Sequence, residues 1–199
     1  MFMKKTAGFL FFLGGGVVFM GIITAEIFYG SFYSISQSMI STLGSSPPPD
    51  SIIREPSAGI FDSAMILSGI AISIGAYLLR KTSEMKLTVA ILLTGIGVAG
   101  VGFFPAFHAI LHPISALLAF GAGGISALLA SRNTLTPFSY VSLALGMVSL
   151  LFLFSGLFLS WLVVPVLGAG GAERWVAYPI MIWLIGFGGY LMNSTAVKK

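Results

Sequence analysis

The sequence predicts an all-α, polytopic membrane protein: a single six-transmembrane-helix bundle with both termini inside the cell. Of the 199 residues, 57% are hydrophobic and only 8% are charged, against roughly a quarter charged in ordinary soluble domains. Mean hydropathy is +1.01. The apolar residues fall into six stretches near the length, about 20 residues, that crosses a bilayer as a helix.

The second observation behind this fold is the distribution of basic residues. If the segments between apolar stretches lie alternately inside and outside, most of the 10 basic residues fall inside, and only Arg54 and Arg174 fall outside. This asymmetry predicts a protein of the plasma membrane with both termini in the cytoplasm. The inner set is Lys4, Lys5, Arg80, Lys81, Lys86, Arg132, Lys198 and Lys199.

The first apolar stretch, 8–25, follows Lys4 and Lys5 as a signal peptide would, but it is longer than a usual signal core and no A-x-A cleavage site follows. We therefore predict a retained first helix. Charged residues and prolines place the ends of the others, for example Arg80 after the second and Pro113 opening the fourth, with His112 as its cap. The helices are expected over residues 7–29, 60–80, 87–104, 113–131, 139–163 and 175–192, in one domain 1–199.

The longest connection, 30–59, is predicted to lie outside. Ile35, Met39 and Leu43 recur every four residues, Ser34 is a candidate cap and Gly44 a candidate stop. This pattern predicts a short interfacial helix over about 35–43, lying over the outer surface as a lid. An ordered loop without a role is the alternative.

Counting about 20 residues of helix from each inner charge reaches one outer layer of ionisable groups. The counts end beside Glu26, Asp62, His108, His112 and Glu173. Ionisable groups at membrane depth usually face the bundle interior or water, so a shared outer cavity is expected. The alternatives are carboxylates that face outer water, an ion pair of Glu173 with Arg174 at the rim, and structural histidines.

A catalytic site in this layer would use His108 and His112 as general base or metal ligands and Asp62 as the orienting or ligating carboxylate. Two imidazoles and a carboxylate are a ligand set for a divalent metal such as zinc, although no HExxH spacing accompanies them. The expected ligand-binding residues are Glu26, Ser36, Glu173, Arg174 and Trp175. Arg174 would hold a phosphate or carboxylate, and Ser36 is a candidate nucleophile that no G-x-S-x-G frames.

Four stretches of the chain carry a resemblance to a known family. They are 33–37 through 43–44, 60–63, 100–105 with His112 following, and 173–174 through 178–179. On these residues the chain resembles the DUF998 group of small prokaryotic six-helix membrane proteins, common in archaea. A more distant likeness is to six-helix proteins of the Frag1/DRAM type. The resemblance implies the six-helix fold but names no reaction, and the family pattern has Asn where this chain has Asp62.

These observations favour an outward-facing polar pocket that binds or processes a lipid or another amphipathic small molecule, with membrane lipids as partners. If the protein is an enzyme, it would be a membrane hydrolase acting at the outer leaflet. A structural or assembly protein and a small transporter are the alternatives. The absence of a basic stripe with interleaved aromatic residues argues against nucleic acid, and a chain without cysteine cannot use thiolate chemistry.

Overall fold

The computed structural model describes residues 2–193, in which every regular element is a helix. Six of these helices are long and apolar enough to cross a membrane, which indicates a multi-pass membrane protein. They are α1 (Phe2–Tyr29), α2 (Ser57–Leu79), α3 (Met85–Phe103), α4 (Leu111–Ser131), α5 (Phe138–Phe158) and α6 (Ser160–Asn193). Two short 3₁₀ helices, Gly30–Phe32 and Ile40–Leu43, lie between α1 and α2.

The six helices form a closed ring in chain order, because each packs on the next and α6 returns to pack on α1. The "loop end" of this ring carries the connections 30–56 and 104–110 and the residues around Leu159. The "basic end" carries the short connections 80–84 and 132–137. Short connections make chain neighbours antiparallel, so the basic and acidic segments of the sequence fall at opposite ends.

The contact that closes the ring depends on glycine. A Cβ added to Gly8 of α1 would lie 2.6 Å from the carbonyl oxygen of Gly188, and a Cβ on Gly188 would lie 2.5 Å from the carbonyl oxygen of Gly8. No side chain can be accommodated at these separations. The first and last helices therefore meet backbone to backbone, as small residues allow in membrane bundles.

Several helix ends differ from those predicted, and three of the differences affect the site. The fourth helix begins at Leu111 rather than 113, so His112 lies in its first turn and is not its cap. The His112 amide donates to the His108 carbonyl at 3.1 Å, while Pro113 occupies an early position that needs no amide proton.

The fifth helix ends at Phe158, where the sequence favours 163, and the sixth begins at Ser160. The reason is local geometry. Leu159 leaves the helical region and Gly168 adopts φ 74° and ψ 165° inside α6. A left-handed residue interrupts a helix. The chain therefore runs helically through 160–167, turns at Gly168, and continues helically to Asn193.

The predicted lid helix over 35–43 is not continuous. Residues 35–37 form a turn, Met39 is extended at φ −62° and ψ 153°, and only Ile40–Leu43 is helical, as a 3₁₀ turn. Side chains of α6 bind backbone groups in this segment, as described below. Carbonyl oxygens and amides bonded in this way are not available to a helix.

Candidate functional site

Arg174, on the part of α6 that follows Gly168, is the most densely bonded side chain of the loop end. It is 6% exposed. Its Nη1 donates to the carbonyl oxygens of Ile35 (2.7 Å), Ser38 (3.1 Å) and Gly170 (2.9 Å). Its Nη2 donates to Glu26 Oε1 of α1 at 2.6 Å. One buried cation thus joins α1, the connection 30–56 and α6.

Two further groups complete this "arginine network". Arg174 Nη2 also donates to the Tyr33 hydroxyl at 2.7 Å, and that hydroxyl donates to the Met39 carbonyl at 3.1 Å. Burial raises the pKa of the Tyr33 phenol above its ordinary value, against the opposing effect of Arg174. Tyr33 therefore remains protonated and acts as acceptor and donor together. Beside it, Glu173 accepts a hydrogen bond from the Ile40 amide.

The arginine network leaves Arg174 little capacity for a ligand. All four terminal N–H groups of its guanidinium point at protein acceptors, and its Nε is buried with no hydrogen-bond partner. Glu26 and Arg174 form the one ion pair among residues 2–193. In this arrangement Glu26 and Arg174 attach the connection 30–56 to α1 and α6. This is a structural role for the ion pair.

An interior cavity of about 70 Å³ lies within the helix ring. Its walls are almost entirely apolar and come from five helices. Three polar side chains, Ser41, His112 and Glu173, lie in its lining. The other lining residues are Val18, Ile22, Ile40, Phe61, Met65, Ile72, Val98, Val101, Ala116, Ala119, Phe120, Ala177, Ile180, Met181 and Leu184.

A second, larger space lies at the loop end. This "outer pocket" has a volume of about 440 Å³. It shares Ser41, His112, Ala116 and Glu173 with the interior cavity. The remaining residues of its lining are Met39, Pro47, Pro48, Ala106, Ala109 and Pro113. The shared residues mark where the two spaces adjoin, so polar groups stand between an open pocket and an apolar interior.

His112 is the best-defined chemical group of this junction. It is 7% exposed, and its Nδ1 lies 2.7 Å from the carbonyl oxygen of Phe104. A carbonyl only accepts, so Nδ1 carries the proton and Nε2 of the neutral ring is left with its lone pair. The ring orientation is therefore fixed by the α3–α4 connection.

The other two predicted catalytic residues lie elsewhere. The His108 ring packs on Phe107 at 4.2 Å and edge-on to Phe104 at 5.7 Å, and His108 lines neither space. Asp62 Oδ1 is buried with no hydrogen-bond partner, and a Cβ added to Gly44 would lie 2.6 Å from it. Within residues 2–193, Asp62 Oδ1 therefore has no hydrogen-bond partner and Asp62 forms no ion pair.

The predicted metal ligands are not brought together. Within residues 2–193, no three His, Asp or Glu side chains are grouped so as to hold a metal ion. His112 turns its Nδ1 to a backbone carbonyl, and His108 packs against aromatic rings. The donor set that the sequence suggests therefore does not fit a zinc site.

The remaining predicted ligand residues face away from the junction. Ser36 is exposed, with its hydroxyl 3.3 Å from that of Ser34. Trp175 is 49% exposed and stacks on Phe152 of α5 at 5.2 Å. Of the five residues expected to bind a ligand, only Glu173 lines the two spaces.

Sequence reasoning missed two residues of the loop end. Ala116 lies four residues after His112, so helical spacing alone places it on the face of α4 that lines both spaces. Tyr33 belongs to a stretch that carries the family resemblance, but no sequence signal shows that its hydroxyl is an acceptor for Arg174.

The family described as "Protein of unknown function (DUF998)" has a sequence model that matches residues 12–190 of this chain. No curated protein and no solved structure matches this chain. The resemblance to DUF998 is confirmed, and the chain belongs to this family.

Proposed function

We propose that this member of the DUF998 family binds a lipid or another amphipathic small molecule at its loop end. The polar part of the ligand would lie in the outer pocket beside Ser41, His112 and Glu173, and its apolar end would enter the interior cavity. The observation that carries this proposal is that the same four residues line both spaces.

The dimensions and the chemistry support an amphipathic ligand. An outer pocket of about 440 Å³ is within the roughly 300–1,000 Å³ typical of small-molecule sites. The interior cavity of about 70 Å³ is far smaller, so it would take the end of an apolar chain. His112 Nε2 supplies an acceptor for a hydroxyl of the ligand, and the Ser41 hydroxyl supplies a donor.

We further propose that the loop end faces the outside of the plasma membrane, with both termini cytoplasmic. The chain contains no cysteine, so single cysteines can be labelled without background. With an impermeant thiol reagent on intact cells, Asp50→Cys should be labelled and Thr82→Cys should not. The reverse pattern would invert the orientation and place the ligand site on the inner leaflet.

The ligand proposal is tested with a photoactivatable long-chain fatty acid and the purified protein. Crosslinks are expected on Met65 or Met181, which line the interior cavity. Ala116→Phe should abolish these crosslinks, because the ring fills the junction. Leu117→Phe is the matched control, since Leu117 is 51% exposed and faces away. Crosslinks confined to exposed residues, equal in both variants, would refute the ligand site and favour the structural role.

Hydrolysis is the second candidate, and the fixed tautomer of His112 favours it. An imidazole whose Nδ1–H is held by a carbonyl presents Nε2 as a general base. A panel of fluorogenic lipid esters would detect the activity. His112→Asn should then abolish turnover while His108→Asn retains it. Equal turnover in both variants and in the unaltered protein would assign the activity to a contaminant.

A further inference from the structure

The basic end contains a pocket of its own, unrelated to the loop-end spaces. This "basic-end pocket" has a volume of about 410 Å³ and is formed by α1, by both short connections and by the last turns of α6. Its polar residues include Lys4, Lys81, Ser83, Glu84 and Asn133. Leu87 and Phe187, both buried, lie beneath them and give the pocket an apolar floor.

The two lysines of this pocket form no ion pair among residues 2–193. Neither Lys4 nor Lys81 forms an ion pair with a described residue, although Lys4 is half-buried. The contrast is Arg174, whose terminal N–H groups are all bonded to the protein. Cationic side chains that converge on a pocket without protein acceptors are available to an anion.

One carboxylate also lines the pocket. Glu84 accepts a hydrogen bond from Asn133 Nδ2 at 3.0 Å, so one of its oxygens is already bonded to the protein. With two ammonium groups and one carboxylate, the pocket carries a net charge of about one positive unit at neutral pH. A singly charged anion complements this charge.

The position of the pocket indicates which class of molecule would bear this anionic group. It lies at the ends of six helices long and apolar enough to cross a membrane, where lipid headgroups meet the protein. Basic pockets between transmembrane helices are recurrent sites for anionic headgroups. A phosphodiester with an acyl chain beside it would match the charged rim and the apolar floor.

We propose that the basic-end pocket binds the phosphate group of an anionic lipid headgroup, with Lys4 and Lys81 as its cationic ligands. The Ser83 hydroxyl is a further donor to the phosphate oxygens. The site is independent of the loop-end ligand, because no residue lines both.

The test is the binding of dioleoyl phosphatidylglycerol to the purified full-length protein in detergent, counted as lipid adducts by native mass spectrometry. Lys4→Gln with Lys81→Gln should weaken binding roughly tenfold or more, as expected for two lost lysine contacts. The matched control, Lys86→Gln with Arg132→Gln, removes the same charge outside the pocket and should change binding less than about twofold. Lys4→Arg with Lys81→Arg should restore binding, and Glu84→Gln should tighten it.

Two results would overturn the proposal. Equal losses in the two glutamine pairs would show diffuse charge attraction without a site, and no loss in either would show that the lysines do not contribute. Glycerol phosphate distinguishes a lipid from a soluble phosphate. If it displaces phosphatidylglycerol at equal concentration, the pocket serves a soluble phosphate compound and the lipid assignment fails.

Discussion

The loop end and the basic end of this bundle both carry cationic side chains, and they use them in opposite ways. At the loop end, Arg174 is buried and bonded to three carbonyl oxygens, a carboxylate and a phenol. At the basic end, Lys4 and Lys81 line a pocket without an ion-pair partner among residues 2–193. Burial and pairing, rather than charge alone, therefore indicate which cations hold the fold and which are free to bind.

Arg174→Met is the variant with the largest expected effect on this difference between the two ends. Removing one partner of a buried ion pair costs about 3–5 kcal/mol, because Glu26 is left without its counter-charge. We expect that loss in the free energy of unfolding, measured by denaturant titration in detergent. Adding Glu26→Gln should recover part of it.

Arg54→Met is the control for that experiment. Arg54 is half-buried and lies over the rings of Phe32 at 4.2 Å and Tyr29 at 5.4 Å, a cation–π contact worth about 1 kcal/mol. If Arg54→Met and Arg174→Met cost the same, the arginine network is not the main constraint on the loop end.

The second prediction concerns the turn at Gly168, which carries Arg174 to the loop. Gly168→Ala should cost about 3 kcal/mol, from the left-handed backbone and from a clash with the Ser36 carbonyl oxygen. Gly30→Ala separates these effects. Gly30 has φ 76° but nothing near its missing Cβ, so only backbone strain of about 1–2 kcal/mol is expected. Equal losses in thermal unfolding would exclude the clash.

Asp62 gives a smaller effect. Its buried Oδ1 has no hydrogen-bond partner, and an unpaired buried charge is unfavourable. Asp62→Asn should therefore leave stability unchanged or raise it by about 1 kcal/mol. Asp50→Asn, at an exposed position of the connection 30–56, should change the unfolding free energy by less than about 0.5 kcal/mol. A clear loss for Asp62→Asn would reveal a partner for the carboxylate.

The smallest expected effect is at the basic end. Lys4→Gln with Lys81→Gln should change the free energy of unfolding by less than about 0.5 kcal/mol in lipid-free detergent, because neither side chain bonds to a described residue. The measurement is the same denaturant titration as for Arg174→Met. A loss comparable to that variant would remove the distinction between the two ends.

Periodicity and charge predicted the six long apolar helices of residues 2–193, because the apolar length of a membrane span is set by the bilayer. They could not predict the break at Gly168, which lies against the distant Ser36 carbonyl. Nor could they predict the folding of residues 35–43, which depends on contacts with Arg174 and Glu173 far along the chain. The long-range hydrogen bond from Arg174 to Ile35 joins residues 139 positions apart. No local pattern encodes such a bond.

For the candidate site, sequence reasoning placed His112 and Glu173 at one depth, and both line the outer pocket. It could not predict which way the neighbouring side chains point. Counting residues along a helix gives the depth of a side chain in the membrane. It does not give the side of the helix on which that side chain lies. Trp175 follows Arg174 directly, yet one is exposed and the other buried. His108 and His112 are four residues apart, yet only His112 lines the outer pocket, because the α3–α4 connection is irregular at residues 104–110.

The pairing of α1 with α6 also has a consequence for biosynthesis. Glu26 and its partner Arg174 lie 148 positions apart, so at roughly 5–20 residues per second the ribosome supplies the arginine about 7–30 seconds after the glutamate. Through that interval the nascent chain carries an unneutralised carboxylate near the end of its first span. A chain that stalls before α6 would retain this carboxylate without its counter-charge. The contact between the first helix and Arg174 therefore forms only once the final helix has been made.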